Sequence, residues 1–191
     1  MKSVELKILP FKTAKTFSIW LKKNHAKSTG IWLQIFKKDS GVKTVTYAEA
    51  LDEALCCGWI DSQKKTFDDK SYLQRFGPRK PKSIWSKMNR LHIARLTKGG
   101  RMMPLGLAHV ASAKADGRWD DAYDPPKDMV VPDDLLQALT KHKKAEQFFQ
   151  SLNKANLYAI AWRLQTAKKS ETRKKRMDVI LAMLKKGEKF H

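Results

Sequence analysis

Two tryptophans, a carboxylate, two arginines, a hydroxyl and an amide recur within a short stretch of the chain: Trp59 and Asp61, then Arg75 and Arg79, then Trp85, Ser86 and Asn89. A guanidinium forks onto a carboxylate or phosphate better than an ammonium does, and an indole offers an apolar face to a ring. Together these residue types suit a pocket for a small anionic or aromatic ligand, with Asp61 orienting one of the arginines. The same residues would also meet a plainer need, in which Asp61 neutralises a buried arginine and the tryptophans fill core.

Catalytic chemistry has weaker support. Ser83 and Ser86 lie near His92, but no strained nucleophile turn surrounds either serine. Cys57 falls at the expected end of a helix, where the negative end of the dipole raises a thiol pKa, so it reads as a small core residue. His25, His92, His109, His142 and His191 are scattered without metal-ligand spacing. No catalytic residue, metal or cofactor is therefore assigned.

The net charge of +20 and pI near 10.0 favour encounters with polyanions. Lys168, Lys169, Arg173, Lys174, Lys175 and Arg176 crowd one helix junction and form the candidate surface for sequence-tolerant nucleic-acid binding. Cys56 and Cys57 are adjacent and have no other cysteine to bridge, which indicates free thiols and a reducing compartment. With no export signal in the opening residues and no apolar run of roughly 20 residues, the sequence reads as a soluble cytoplasmic protein.

These residues must be positioned by an α+β body. Thr13 caps a helix through Phe17 and Leu21, and Ile31–Phe36 reads as a strand. Thr46 and Glu49 have capping-box spacing ahead of a helix that should end at Gly58. Trp59–Lys64 and Ser71–Phe76 read as an antiparallel pair. Ser83 is placed to cap the next helix, which stops at Gly99-Gly100, and Pro104 opens another towards Gly117. Residues 118–132 break every periodicity. Beyond them come helices opened by Pro132-Asp133-Asp134, then over Ala145–Leu152, around Leu157–Leu164 and around Met177–Leu184. The organisation is thus a body over 1–117, an irregular boundary over 118–132 and a helical unit over 133–191. In the last helix Arg173 and Arg176 share a side and are expected to face Asp120, Asp121 and Asp124.

Tyr47-x-Glu49-Ala50-Leu51 through Cys56-x-Gly58-Trp59-Ile60-Asp61, Arg75-Phe76-x-Pro78-Arg79 and Ser83-x-Trp85-Ser86-x-x-Asn89 resemble the YdeI/OmpD-associated family of bacteriocin-protection, OmdA-like proteins. Gly100-Arg101-Met102, Ala113-Lys114-x-Asp116-Gly117-Arg118-Trp119 and Ala167-Lys168-x-x-x-Thr172-Arg173-x-x-Arg176 extend the resemblance along nearly the whole chain. It implies a role in tolerance of bacteriocins or cationic antimicrobial peptides, and a periplasmic location that the missing export signal opposes. The element order is similar to the YdhG-like α+β fold, a small antiparallel sheet packed with helices, some of whose members resemble frataxin-type iron chaperones. The resulting expectation is a non-catalytic binding or stress-protection protein using the Trp/Arg pocket. The alternatives are the nucleic-acid binder and, third, an unrecognised enzyme.

Overall fold

Local capping and strand alternation account for most of the first unit. The computed structural model describes residues 5–191; the residues before Glu5, part of the segment read for an export signal, lie outside it. The chain divides into two compact units, one running to Trp85 and resuming over Asn89–Asp121, the other comprising Ser86–Met88 and Ala122–His191.

The first unit opens with strand β1 (Ile8–Pro10) and helix α1 (Ala14–Asn24). The Thr13 hydroxyl accepts from the Thr16 amide, and Thr16 returns the bond to the cap. Strand β2 (Ile31–Phe36) follows, then α2 (Tyr47–Cys56), where Thr46 and Glu49 form the expected capping box. Gly58 ends that helix at φ +76°, a conformation that a Cβ would strain. Strands β3 (Trp59–Thr66) and β4 (Ser71–Pro78) then pair antiparallel, joined by a turn in which the Asp68 carboxylate accepts from the Lys70 amide and Ser71 hydroxyl.

The sheet has strand order β1-β2-β4-β3, with β1 parallel to β2 and the other pairs antiparallel. It is therefore mixed rather than wholly antiparallel. The edge strand β1 is three residues long and ends in proline, so it carries no alternation to read. Helix α1 covers one sheet face, with the Phe17 ring 5.9 Å from Phe76 and Trp20 edge-on to Trp59 at 5.9 Å.

Helix α3 (Lys87–Lys98) starts later than the Ser83 cap would place it. Tertiary bonds hold the preceding residues out of the helix: the Ser83 carbonyl accepts from Arg118 at 3.1 Å, and the Ile84 carbonyl accepts from Arg79 at 2.5 Å. Helix α4 (Pro104–Ala115) packs so closely on the end of α2 that a Cβ on Gly106 would stand 2.5 Å from the Cys56 carbonyl.

The second unit is helical, with α5 (Asp133–Thr140), α6 (Lys143–Gln150), α7 (Lys154–Gln165) and α8 (Ser170–Lys185). Leu135, Leu139, Ala145, Ile160, Leu164, Ile180 and Leu184 close its core. Asn153 caps α7 by accepting from the Asn156 amide at 3.0 Å. Among the described residues no helix is long and apolar enough to cross a membrane.

Candidate functional site

Alternation along β4 separates the residues that sequence proximity groups together. Side chains one residue apart point to opposite sheet faces. Phe76 lies on the helix-covered face, so Arg75 stands on the other, opposite Trp32 of β2 in the register. Lys65 of β3 lies opposite Leu73 and shares that outer face. Its ammonium sits 4.4 Å from the centre of the Trp32 ring. Trp32, Lys65 and Arg75, with Glu5, Ile8 and Thr29, line a cleft of about 520 Å³. The cleft offers a half-buried indole face, two cations and one carboxylate.

Trp59 has a different setting. It is fully buried, and its Nε1 donates to the His25 carbonyl at 3.1 Å, which anchors it in core. Asp61, two residues on, accepts from the Tyr47 hydroxyl at 2.9 Å. Burial raises its pKa above the ordinary aspartate value, against the opposing hydrogen bond from Tyr47 and the nearby charge of Arg79.

Arg79 and Trp85 form a third setting. The Arg79 guanidinium stacks 3.6 Å from the centre of the Trp85 ring and is only 5% exposed. Its backbone amide donates to the Gly58 carbonyl at 3.0 Å. Trp85 meets Trp119 edge-on at 5.0 Å, and its Nε1 is buried with no hydrogen-bond partner among the described residues. His109 lines the same corner, since a Cβ on Gly58 would meet its ring at 2.8 Å. Burial, then the charges of Arg79 and Arg118, depress the His109 pKa, so its neutral form is favoured. Ser86 is buried and bridges to Tyr123 within the second unit, and Asn89 is half-buried in α3. The seven residues proposed for one pocket thus occupy several environments: Arg75 beside Trp32, Trp59 in core, and Arg79 against Trp85.

The residues weighed for catalysis are engaged structurally. His92 Nδ1 lies 2.9 Å from the Asp52 carboxylate, which also accepts from Arg95 at 2.7 and 2.8 Å. Burial raises the Asp52 pKa, but the Arg95 and His92 hydrogen bonds outweigh it and the net shift is downward. Burial pushes both cysteine thiols up to about 11. Among the described residues no group of three or more His, Cys, Asp or Glu side chains is placed to hold a metal ion.

The basic junction of the second unit also divides. Arg173 pairs with Asp134 at 2.7 Å and donates to the Leu164 carbonyl at 2.8 Å. Arg176 donates to the Arg163 carbonyl at 2.6 Å and to the Thr166 hydroxyl at 3.0 Å. The Arg176 bond serves a carbonyl in the last turn of α7, where intrahelical donors run out, while the Arg173 bond adds to the Leu164 carbonyl, which also accepts from the Ala167 amide at 3.2 Å. The acidic partner of Arg173 is therefore Asp134, not the expected Asp120, Asp121 and Asp124, because α5 brings its first turn to α8. Lys168, Lys169 and Lys174 are exposed, and Lys175 pairs with Glu171 at 2.8 Å.

The sequence alone did not group Trp32 and Lys65 with Arg75. The available signal was alternation in β2, where Ile31, Leu33 and Ile35 form one buried face and Trp32, Gln34 and Phe36 form the other, half-buried one.

Residues 9–109 match the model of a family described as Domain of unknown function (DUF8412). Residues 128–187 match the family described as Bacteriocin-protection, YdeI or OmpD-Associated. The YdeI/OmpD-associated resemblance therefore holds for the C-terminal part, a narrower span than the motifs suggested. No curated protein and no solved structure matches the chain.

Proposed function

We propose, for a chain that belongs to the family described as Domain of unknown function (DUF8412), a non-catalytic binding role in stress protection, with an anionic aromatic ligand of the nucleotide kind held on the outer sheet face. The carrying observation is the Trp32 ring with the Lys65 ammonium 4.4 Å from its centre and Arg75 opposite it in the strand register. A ring stacked on Trp32 would bring its phosphate or carboxylate to these cations. Lys65 must swing aside, and the magnitudes permit it: an exposed cation–π contact contributes about 0.5–1 kcal/mol, whereas a stacked base contributes about 1–3 kcal/mol. Glu5 lines the cleft and offsets part of its charge. The protective character is carried over from the bacteriocin-protection description matched by residues 128–187. Two buried, unbridged cysteines support a reducing, cytoplasmic setting.

A second reading, single-stranded nucleic acid on the same face, is favoured by the net charge of +20. Calorimetric titration with adenosine monophosphate and with a short oligothymidylate, each at low and physiological salt, separates the two. The first reading expects saturable nucleotide binding that survives added salt and is lost in Trp32→Ala. Oligonucleotide binding alone, with a steep salt dependence, would select the second. Full retention of both in Trp32→Ala would exclude this face.

A further inference from the structure

The second unit contains a cavity of about 360 Å³ whose chemistry is independent of the sheet face. Its apolar wall comes from Trp162, Val179, Ile180 and Phe190, while Arg163 and Arg176 border the same space. The volume lies near the lower end of the roughly 300–1,000 Å³ found for small-molecule sites.

Charge distinguishes this cavity from a gap between helices. Arg163 lies 3.7 Å over the Phe190 ring and donates to the Ala159 carbonyl at 3.0 Å. Arg176 donates to the Arg163 carbonyl and the Thr166 hydroxyl. Neither guanidinium makes an ion pair with a carboxylate among the described residues. Lys175, also at the cavity, already pairs with Glu171. Burial and then the neighbouring Arg176 lower the Arg163 pKa, as two like charges drawn together would. Backbone carbonyls solvate part of each guanidinium but leave the positive charge uncancelled. An anion at the mouth would relieve that repulsion, and an apolar body attached to it would fill the wall of Trp162, Ile180 and Phe190.

We propose that this cavity binds an amphipathic monoanion, a carboxylate carried on a short acyl or phenyl-alkyl chain, with the carboxylate at Arg163 and Arg176 and the chain against Trp162 and Phe190. The proposal needs both halves of the ligand. A neutral chain would leave the arginine pair as it is, and a small inorganic anion would leave the apolar wall wet.

Calorimetric titration of the full chain with octanoate and phenylpropionate tests it, with octanol as the neutral control. At least one acid should bind saturably at a single site, at least tenfold more tightly than octanol. Arg176→Gln should weaken that binding at least tenfold, but it also removes two structural hydrogen bonds. Val179→Asp supplies the second arm: Val179 is 60% exposed, so the variant should melt like the parent while its new carboxylate lowers acid affinity at least tenfold. Equal affinity for octanol, no saturable binding of either acid, or unchanged acid binding in Val179→Asp would overturn the proposal.

Discussion

Arg75 lies within β4 and Arg79 directly follows it, yet the two guanidinium groups have different surroundings. Arg75 is half-buried on the outer sheet face opposite Trp32, bordering a cleft. Arg79 is buried, stacked on Trp85 and bonded to the Ile84 carbonyl. A guanidinium sandwiched in this way organises the chain around it; one beside an accessible indole can meet a ligand. The difference comes from register and from the end of β4 at Pro78, not from residue type. Proximity in sequence is therefore a poor guide to a shared site when a strand runs between the residues.

Substitution at the buried pair should produce the largest effects. Trp85→Ala should lower unfolding free energy by about 3–5 kcal/mol, the usual cost of emptying a buried aromatic site. Arg79→Ala should lower it by about 3 kcal/mol, combining a desolvated cation–π contact with a carbonyl left unsatisfied. Urea unfolding checks both, and a parental midpoint in Arg79→Ala would break the contrast. Arg75→Ala, by the same measurement, should stay within about 0.5 kcal/mol of the parent while ligand affinity falls.

A smaller effect sharpens the comparison through two carboxylates of the first unit. Asp52 has a depressed pKa in the folded state, so its contribution is present above the unfolded aspartate pKa and is lost as pH falls through the folded value. Asp52→Asn should therefore be destabilised at neutral pH, with the deficit closing in acid. Asp61 is raised instead, so ionising it costs stability as pH climbs from the unfolded to the folded pKa. Asp61→Asn keeps an acceptor for Tyr47 and should match or slightly exceed the parent at neutral pH, by less than about 1 kcal/mol. Denaturation at neutral and acid pH reads both signs. A neutral-pH loss in Asp61→Asn as large as that in Asp52→Asn would place the two carboxylates in one class.

Elements fixed by local chemistry were legible in the chain. The Thr46 and Glu49 capping box, the Gly58 stop and the β3–β4 pairing each follow from residues near one another in sequence. Strand β1 was not, since Ile8–Pro10 acquires its strand character from a parallel partner in β2. The start of α3 was misplaced because Ser83 has the chemistry of a cap, while Arg79 and Arg118 capture the carbonyls of Ile84 and Ser83. In the site, residue types were read without sheet faces. Phe76 in core implied that Arg75 pointed away, and the same alternation in β2 would have brought Trp32 to it.

Among the six tryptophans of the chain, Trp32 is the one we propose to meet an aromatic anion. An indole nitrogen–proton correlation spectrum of protein labelled at tryptophan, each signal assigned by substitution and titrated with adenosine monophosphate, tests it most directly. The Trp32 signal should move saturably, with Trp59 and Trp85 unchanged in core and against Arg79. A saturable shift at Trp85 or Trp59 with Trp32 stationary would instead put the site at the buried corner.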